Sequence, residues 1–261
     1  MTLSHELRSS DKWEKHFTKT FPQFNLTEIQ PFMGLIPPER IREKPLRVFD
    51  VGANAGLWTA SMLEYYGRHI GEMHCFEPMP GNIQFFKNSM DEGLYADHLA
   101  KIRLNEFGLS DKPGNVKIHY ENELTGLASI DNELTYMPAR VVEMLKSRTI
   151  EVKTLDDYCA AEKIDRIDIL KVDIEGHELP VLKGAERLFK KKQIGVVSFE
   201  CGVHQMARRE FYKDFYEFFA DHGYSNWRYR ETGWAPVKIG AYHSRLEDFE
   251  RVHMYLGASI L

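Results

Sequence analysis

The chain has 261 residues, 43% hydrophobic and 28% charged, with a formal net charge of −5. That length allows one large domain with its own core and no need for a disulfide or metal staple. An acidic balance without a basic stripe argues against a nucleic-acid partner.

The three cysteines, Cys75, Cys159 and Cys201, are scattered and show neither a disulfide framework nor Cys-x-x-Cys spacing. The opening MTLSHELRSSDKWEKHF is too polar for a secretory signal, and no apolar run approaches the roughly 20 residues that cross a bilayer. A cytoplasmic protein without a membrane partner is expected. Residues 1–45 read as an N-terminal helical extension. Trp13, Phe17 and Phe21 share one helical face, Pro22 ends it, and PFMGLIPPERIREKP reads as a Pro-rich connection with little regular structure. The extension either packs its aromatics on the core or forms a lid over a substrate site.

From residue 46 strand and helix signals alternate. RVFDVG is a strand and LWTASMLEYYG a helix stopped by Gly67; EMHCFEP is a strand and GNIQFFKNSMDEG a helix ending at Gly93. KIRLNEFGLS reads as one strand, and GNVKIHYEN as an inserted hairpin strand after a Lys-Pro-Gly turn. RIDILKVDIEG is a strand, and HELPVLKGAERLFKKK one helix with Pro180 near its start and Lys190–Lys192 at the cation-favouring end. IGVVSFECG is a strand dense in β-branched residues. In REFYKDFYEFFADHG, Phe211, Phe215, Phe218 and Phe219 form a buried stripe closed by Gly223. The tail reads as strands with turns at Gly233 and Gly240. The alternation predicts an α/β fold with a doubly wound, mainly parallel sheet. Ligands of such sheets sit at the carboxyl ends of the strands, beside the switch point, so the strand-end residues are the candidates.

The first strand ends DVGANAG. A dinucleotide fingerprint needs Gly-x-Gly-x-x-Gly; here Asn54 stands at the second glycine position and Asp50 precedes Gly52 by two residues. A carboxylate repels a pyrophosphate but suits a ligand with a cationic centre, and Gly52 and Gly56 let backbone approach it. The second strand ends in Glu77, placed to accept hydrogen bonds from a ribose diol. After the third, Gly108, Leu109 and Ser110 lie where an adenine would sit between apolar walls. The fourth strand ends VDIEGHE, gathering Asp173, Glu175, His177 and Glu178 around Gly176. The preference of acids for a helix start accounts for Glu178 but poorly for Asp173. The fifth ends FECGVH, with Glu200 leaving the strand and His204 four residues on.

Together, VFDVGANAG, FEP, KVDIEGHELPVLKGA and VVSFE, with TLDDY at 154–158, resemble the FkbM-type class I methyltransferases, which use S-adenosylmethionine; the likeness runs from Leu46 to Glu200. The resemblance implies a Rossmann-like, seven-stranded sheet and a methyltransferase domain over residues 46–261. It implies that Asp50, Gly52, Asn54 and Gly56 bind the methionine end of the cofactor and that Glu77 holds its ribose. Members are commonly O-methyltransferases on hydroxyls of sugars or other natural products. The expected partner is therefore a small, carbohydrate-like molecule, with self-association into a homo-oligomer left open. A hydroxyl acceptor needs a general base: His177 is favoured because an imidazole titrates near physiological pH, with Glu175, Glu200 and His204 as alternatives and Asp173 holding the cofactor or orienting the base. A less favoured arrangement has Asp173, Glu175 and Glu200 bind a divalent cation such as Mg²⁺. The competing functions are a nicotinamide-dependent oxidoreductase, against which Asn54 counts, and a catalytically silent scaffold.

Overall fold

The computed structural model describes residues 35–91, 95–120, 128–130, 146–230, 233–248 and 252–259. The helix expected around Trp13, Phe17 and Phe21, and the stop at Gly93, lie outside them. Eight strands form the central sheet, in the order β10-β9-β11-β8-β7-β1-β2-β3: β1 Leu46–Val51, β2 Ile70–Phe76, β3 Ile102–Asn105, β7 Ile167–Val172, β8 Ile194–Gly202, β9 Ser225–Arg230, β10 Gly233–Ile239 and β11 Val252–Ala258. The run β3-β2-β1-β7-β8 is parallel, and β11, β9 and β10 add antiparallel pairings. The chain leaves β1 toward β2 and β3, then returns to β7 on the other side of β1, so the switch point lies between β1 and β7.

The helices pack on both faces. Trp58, Met62 and Leu63 of α2 (Leu57–Tyr66) and Phe86 and Met90 of α3 (Pro80–Asp91) share one core with Val48, Ile169 and Val196. The opposite core joins Phe49, Leu170, Val197 and Phe199 to α4 (Leu155–Ala161), α5 (Glu178–Lys183), α6 (Glu186–Lys190) and α7 (Tyr212–Asp221). The two-residue alternation of each strand divides its side chains between these cores. Among the described residues no helix is long and apolar enough to cross a membrane.

Several local expectations change. Among the described residues the sheet has eight strands rather than seven, because β9 and β10 form an antiparallel pair and β10 is an added edge strand; its Pro236 is of the kind that edge strands tolerate. The stretch KIRLNEFGLS divides: β3 stays in the central sheet, while β4 (Gly108–Leu109) joins a separate three-stranded sheet, β4-β6-β5, with β5 (Gly114–Tyr120) and β6 (Lys146–Lys153). PFMGLIPPERIREKP holds a short helix, α1 (Pro38–Glu43), with proline in its first turn; its Arg40 pairs with buried Asp168 at 2.7 Å. On α7 the buried stripe is Tyr212, Phe215 and Phe219, and Phe211 is exposed.

HELPVLKGAERLFKKK is two helices, α5 and α6, broken at Gly184. A Cβ at Gly184 would lie 2.1 Å from the Ser110 carbonyl oxygen, so a glycine is needed where α5 ends against β4. Asp156 of the TLDDY stretch accepts from the Arg187 and Leu188 amides at 2.8 and 3.1 Å, capping α6, and Thr154 caps α4 through the Asp157 amide at 3.0 Å. Gly184→Ala is expected to cost about 1–3 kcal/mol, the usual penalty of overpacking. Gly240→Ala, where nothing lies within 4 Å, should leave the urea midpoint unchanged; equal midpoints for both variants would refute this packing role.

Candidate active site

The carboxyl ends of β1, β2, β4 and β7 surround one cleft, partly open to solvent. Gly52 and Asn54 enter it from β1, Glu77 from β2, Gly108 and Leu109 from β4, and Asp173, Glu175 and His177 from β7. Ile118 of β5 and Ile150 of β6 supply an apolar wall, so the small sheet that interrupts the alternation forms one side of the site.

Backbone conformation shapes the first loop. Gly52, Asn54 and Gly56 all have positive φ, at 79°, 49° and 88°. A Cβ on Gly52 would sit 1.9 Å from the Asp173 carbonyl oxygen, which only glycine avoids. Asn54 is of the residue types that tolerate the left-handed region. Gly56 is absent from the cleft lining; Phe86 and Met90 of α3 occupy the space beside its Cα, so its need is for helix packing rather than ligand approach.

Asp50 also departs from expectation. It is fully buried and outside the cleft lining. In register β1 sets Asp50 beside Lys171 of β7; Lys171 Nζ lies 3.2 Å from Asp50 Oδ1, and Thr59 Oγ1 donates to Asp50 Oδ2 at 2.7 Å. The same Nζ donates to the Gly52 carbonyl at 2.9 Å and lies 3.3 Å from Asp173 Oδ2. Lys171 therefore joins β1, the glycine loop and the end of β7, and Asp173, not Asp50, presents the carboxylate to the cleft. Lys171 has a sequence signal of its own: a cation between Leu170 and Val172, two residues before Asp173.

Glu77 is buried, accepting the Asn54 and Met79 amides at 2.9 and 2.8 Å on its two oxygens. Burial pushes its pKa up, against the pull of those amides and of the Asn82 side chain. With the two amides and the Asn82 side chain as donors, about one of the roughly four lone-pair sites of the carboxylate is left for a further donor. Glu178 is fully buried and is a scaffold residue: Oε1 accepts the Ile174 and Gly176 amides at 2.9 and 3.2 Å, and Gln205 Nε2 donates to Oε2 at 2.7 Å. Burial, with Asp173 adding to it, pushes its pKa up to about 7 despite these donors.

The candidate bases separate into three environments. His177 is buried, lines the cleft, and has Nε2 at 2.9 Å from Ser110 Oγ; Ser110 thus stands behind the imidazole rather than on the lining beside Gly108 and Leu109. Glu175, with a left-handed φ of 57°, reaches His204 Nδ1 at 2.8 Å. His204 is not on the cleft lining. Burial lowers its pKa, but Glu175, Glu178 and Asp173 outweigh this and raise it, which favours the imidazolium over a free base. Glu200 does not reach the cleft: its strand neighbours Phe199 and Cys201 face the α4–α7 core, so its side chain projects from the other face. Asp173, Glu175 and Glu200 are consequently not gathered around one point. Among the described residues, no group of three or more His, Cys, Asp or Glu side chains could hold a metal ion.

Comparison with known proteins bears on the family and the fold. Residues 50–225 match the family model described as the methyltransferase FkbM domain. The 2-O-methyltransferase NoeI of Sinorhizobium fredii is 28% identical over 160 residues, covering 57% of this chain and 61% of that protein. Methyltransferase 1 of Beauveria bassiana is 24% identical over 152 residues, covering 53% and 58%. The matches thus span about three-fifths of these curated relatives' lengths. The crystal structure of methyltransferase FkbM from Methylobacillus flagellatus is similar in fold, with a TM-score of 0.51 and 14% identity over 95% of this chain and 61% of that one. With the family model matching more than half of its length, the chain belongs to the FkbM methyltransferase family.

Proposed function

We propose that this chain is an S-adenosylmethionine-dependent O-methyltransferase acting on a hydroxyl of a small polyhydroxylated molecule, such as a sugar, glycoside or natural product. The observation that carries the reading is that two acids line one cleft: Asp173, fixed by Lys171 at 3.3 Å, and Glu77, fixed by two backbone amides. The donor set suits a cationic amino acid joined to a nucleoside. Asp173 and the Gly52–Asn54 backbone would hold the methionine end, Glu77 the ribose hydroxyls, and Gly108, Leu109, Ile118 and Ile150 the faces of the base. S-adenosylmethionine supplies an electrophilic methyl group on a positively charged sulfur.

The chain's own part is orientation and proton removal. Holding the acceptor in line behind the methyl carbon contributes roughly 7–11 kcal/mol in well-oriented systems. His177 takes the hydroxyl proton as the oxygen–carbon bond forms, a role typically worth 10²–10⁴-fold. A hydroxylated acceptor is supported by the printed functions of two relatives: NoeI is a 2-O-methyltransferase, and AglP of Haloferax volcanii, 28% identical over 85 residues covering 30% of this chain and 36% of that protein, is a hexuronic acid methyltransferase.

The test is a transfer assay with methyl-labelled S-adenosylmethionine against a panel of monosaccharides, glycosides and aglycones. Label is expected on a hydroxyl of at least one polyol. His177→Gln should lower turnover by about 10²–10⁴-fold while keeping the thermal shift with S-adenosylmethionine. No transfer across the panel, or saturable NADH binding in its place, overturns the reading.

A further inference from the structure

The described residues hold another charged cleft, at the opposite edge of the central sheet from the candidate active site. It is lined where the strands begin: by Leu46 of β1, Gly71 of β2 and Asp168 of β7. Four cations line it, Arg40 of α1, Lys44 after that helix, Arg47 of β1 and Arg166 before β7. Three acids, Glu72, Asp165 and Asp168, share the lining.

The acids differ in what they can neutralise. Asp168 is buried, and its carboxylate is a hub: Oδ2 accepts Arg40 Nη2 at 2.7 Å and the Arg47 amide at 2.9 Å, and Oδ1 accepts Arg166 Nε at 2.8 Å. One buried carboxylate thus orients two guanidiniums and cancels the charge of one. Arg47 meets Glu72 at 2.9 Å and Asp165 at 3.3 Å, but those side chains are 52% and 89% exposed, so water and salt screen them. Lys44 is exposed, and its ammonium holds no ion pair among the described residues. A guanidinium has five N–H donors in a fixed fork. Arg40 spends its contacts on Asp168 and the Lys44 carbonyl, and Arg166 on Asp168. All three arginines are half-buried, held by the hub yet reaching the cleft.

We propose that this cleft binds a phosphate-type oxyanion, either free phosphate or the phosphoryl end of a larger molecule. Such a group carries about two negative charges at neutral pH and presents oxygens on several sides. It can accept from forks and an ammonium that arrive from α1, β1 and the start of β7, whereas a planar, singly charged carboxylate matches one fork. Asp168 is a positioning residue here: it faces its arginines and orders them before the anion arrives. The site stands apart from the methyl-transfer reading, since none of its residues lines the other cleft.

The test is a calorimetric titration of the full chain at low ionic strength with inorganic phosphate and, in a separate arm, with glycerol 3-phosphate. Saturable binding of phosphate is expected, and acetate at the same ionic strength should give none. Equal affinity for the two phosphates supports the site with free phosphate as its ligand; tighter binding of the ester supports it with a phosphorylated molecule. Arg166→Gln should weaken binding by about 10-fold or more, the worth of a hydrogen bond to a charged group. Two exposed-surface variants keep the test open if that change impairs folding. Lys44→Glu should weaken binding by about 2–5-fold, and Glu72→Gln with Asp165→Asn should tighten it by a similar factor, the range of exposed charge pairs. No saturation by phosphate in the wild type, equal binding of acetate, or unchanged affinity in both exposed-surface variants overturns the proposal.

Discussion

A lysine buried at the end of a parallel sheet has to be answered by anions, and Lys171 lies beside Asp50 and Asp173. Its ammonium lies between Asp50 of β1 and Asp173 after β7 and donates to the Gly52 carbonyl. Removing one partner of such a buried set leaves an uncompensated charge and typically costs 3–5 kcal/mol, so the geometry of the switch point depends on all of its members. The node also explains why the carboxylate that faces the cleft is Asp173: Asp50 is consumed in holding the lysine. In the proposed function, the Asp173 carboxylate suits a cationic ligand better than a pyrophosphate.

Around that node, the family-like motifs divide into scaffold and chemistry. Glu178 ties down the 174–176 amides and Gln205, Asp156 caps α6, and Gly184 lets α5 close on β4. None of these needs to touch a ligand. Glu77, Asp173, Glu175 and His177 emerge from the same loops into the cleft. The strain of left-handed Glu175 and the tight fit of Gly176, whose Cβ would lie 2.8 Å from the His204 carbonyl oxygen, are borne by this framework.

Strand ends were legible because a parallel strand reads as an apolar run that stops at polar residues. This placed β1, β2, β7 and β8, and with them Glu77, Asp173 and His177, at one sheet edge. Other features depend on partners far away in sequence. Whether Asp50 points into a cleft or into the core is decided by its register with Lys171, 121 positions on. Glu200 is a candidate by its place at a strand end and Phe211 by helical spacing, and the facing of β8 and the docking of α7 decide otherwise. The break in the helix at Gly184 follows from contact with Ser110, which no helical periodicity reports. The apolar wall of Ile118 and Ile150 depends on β5 pairing with β6, a strand whose alternation is weakened by the charges of KSRTIEVK.

The claim on which this account rests is that the Lys171-centred node presents Asp173 to a cationic methyl donor. The direct measurement is a calorimetric titration of S-adenosylmethionine into the wild type and Asp173→Asn, with both shown to be folded. Saturation near one molecule per chain is expected for the wild type and binding about 10–100-fold weaker in the variant, the worth of a hydrogen bond to a charged group. No saturable binding by the wild type, or equal affinity in the two proteins, would contradict it.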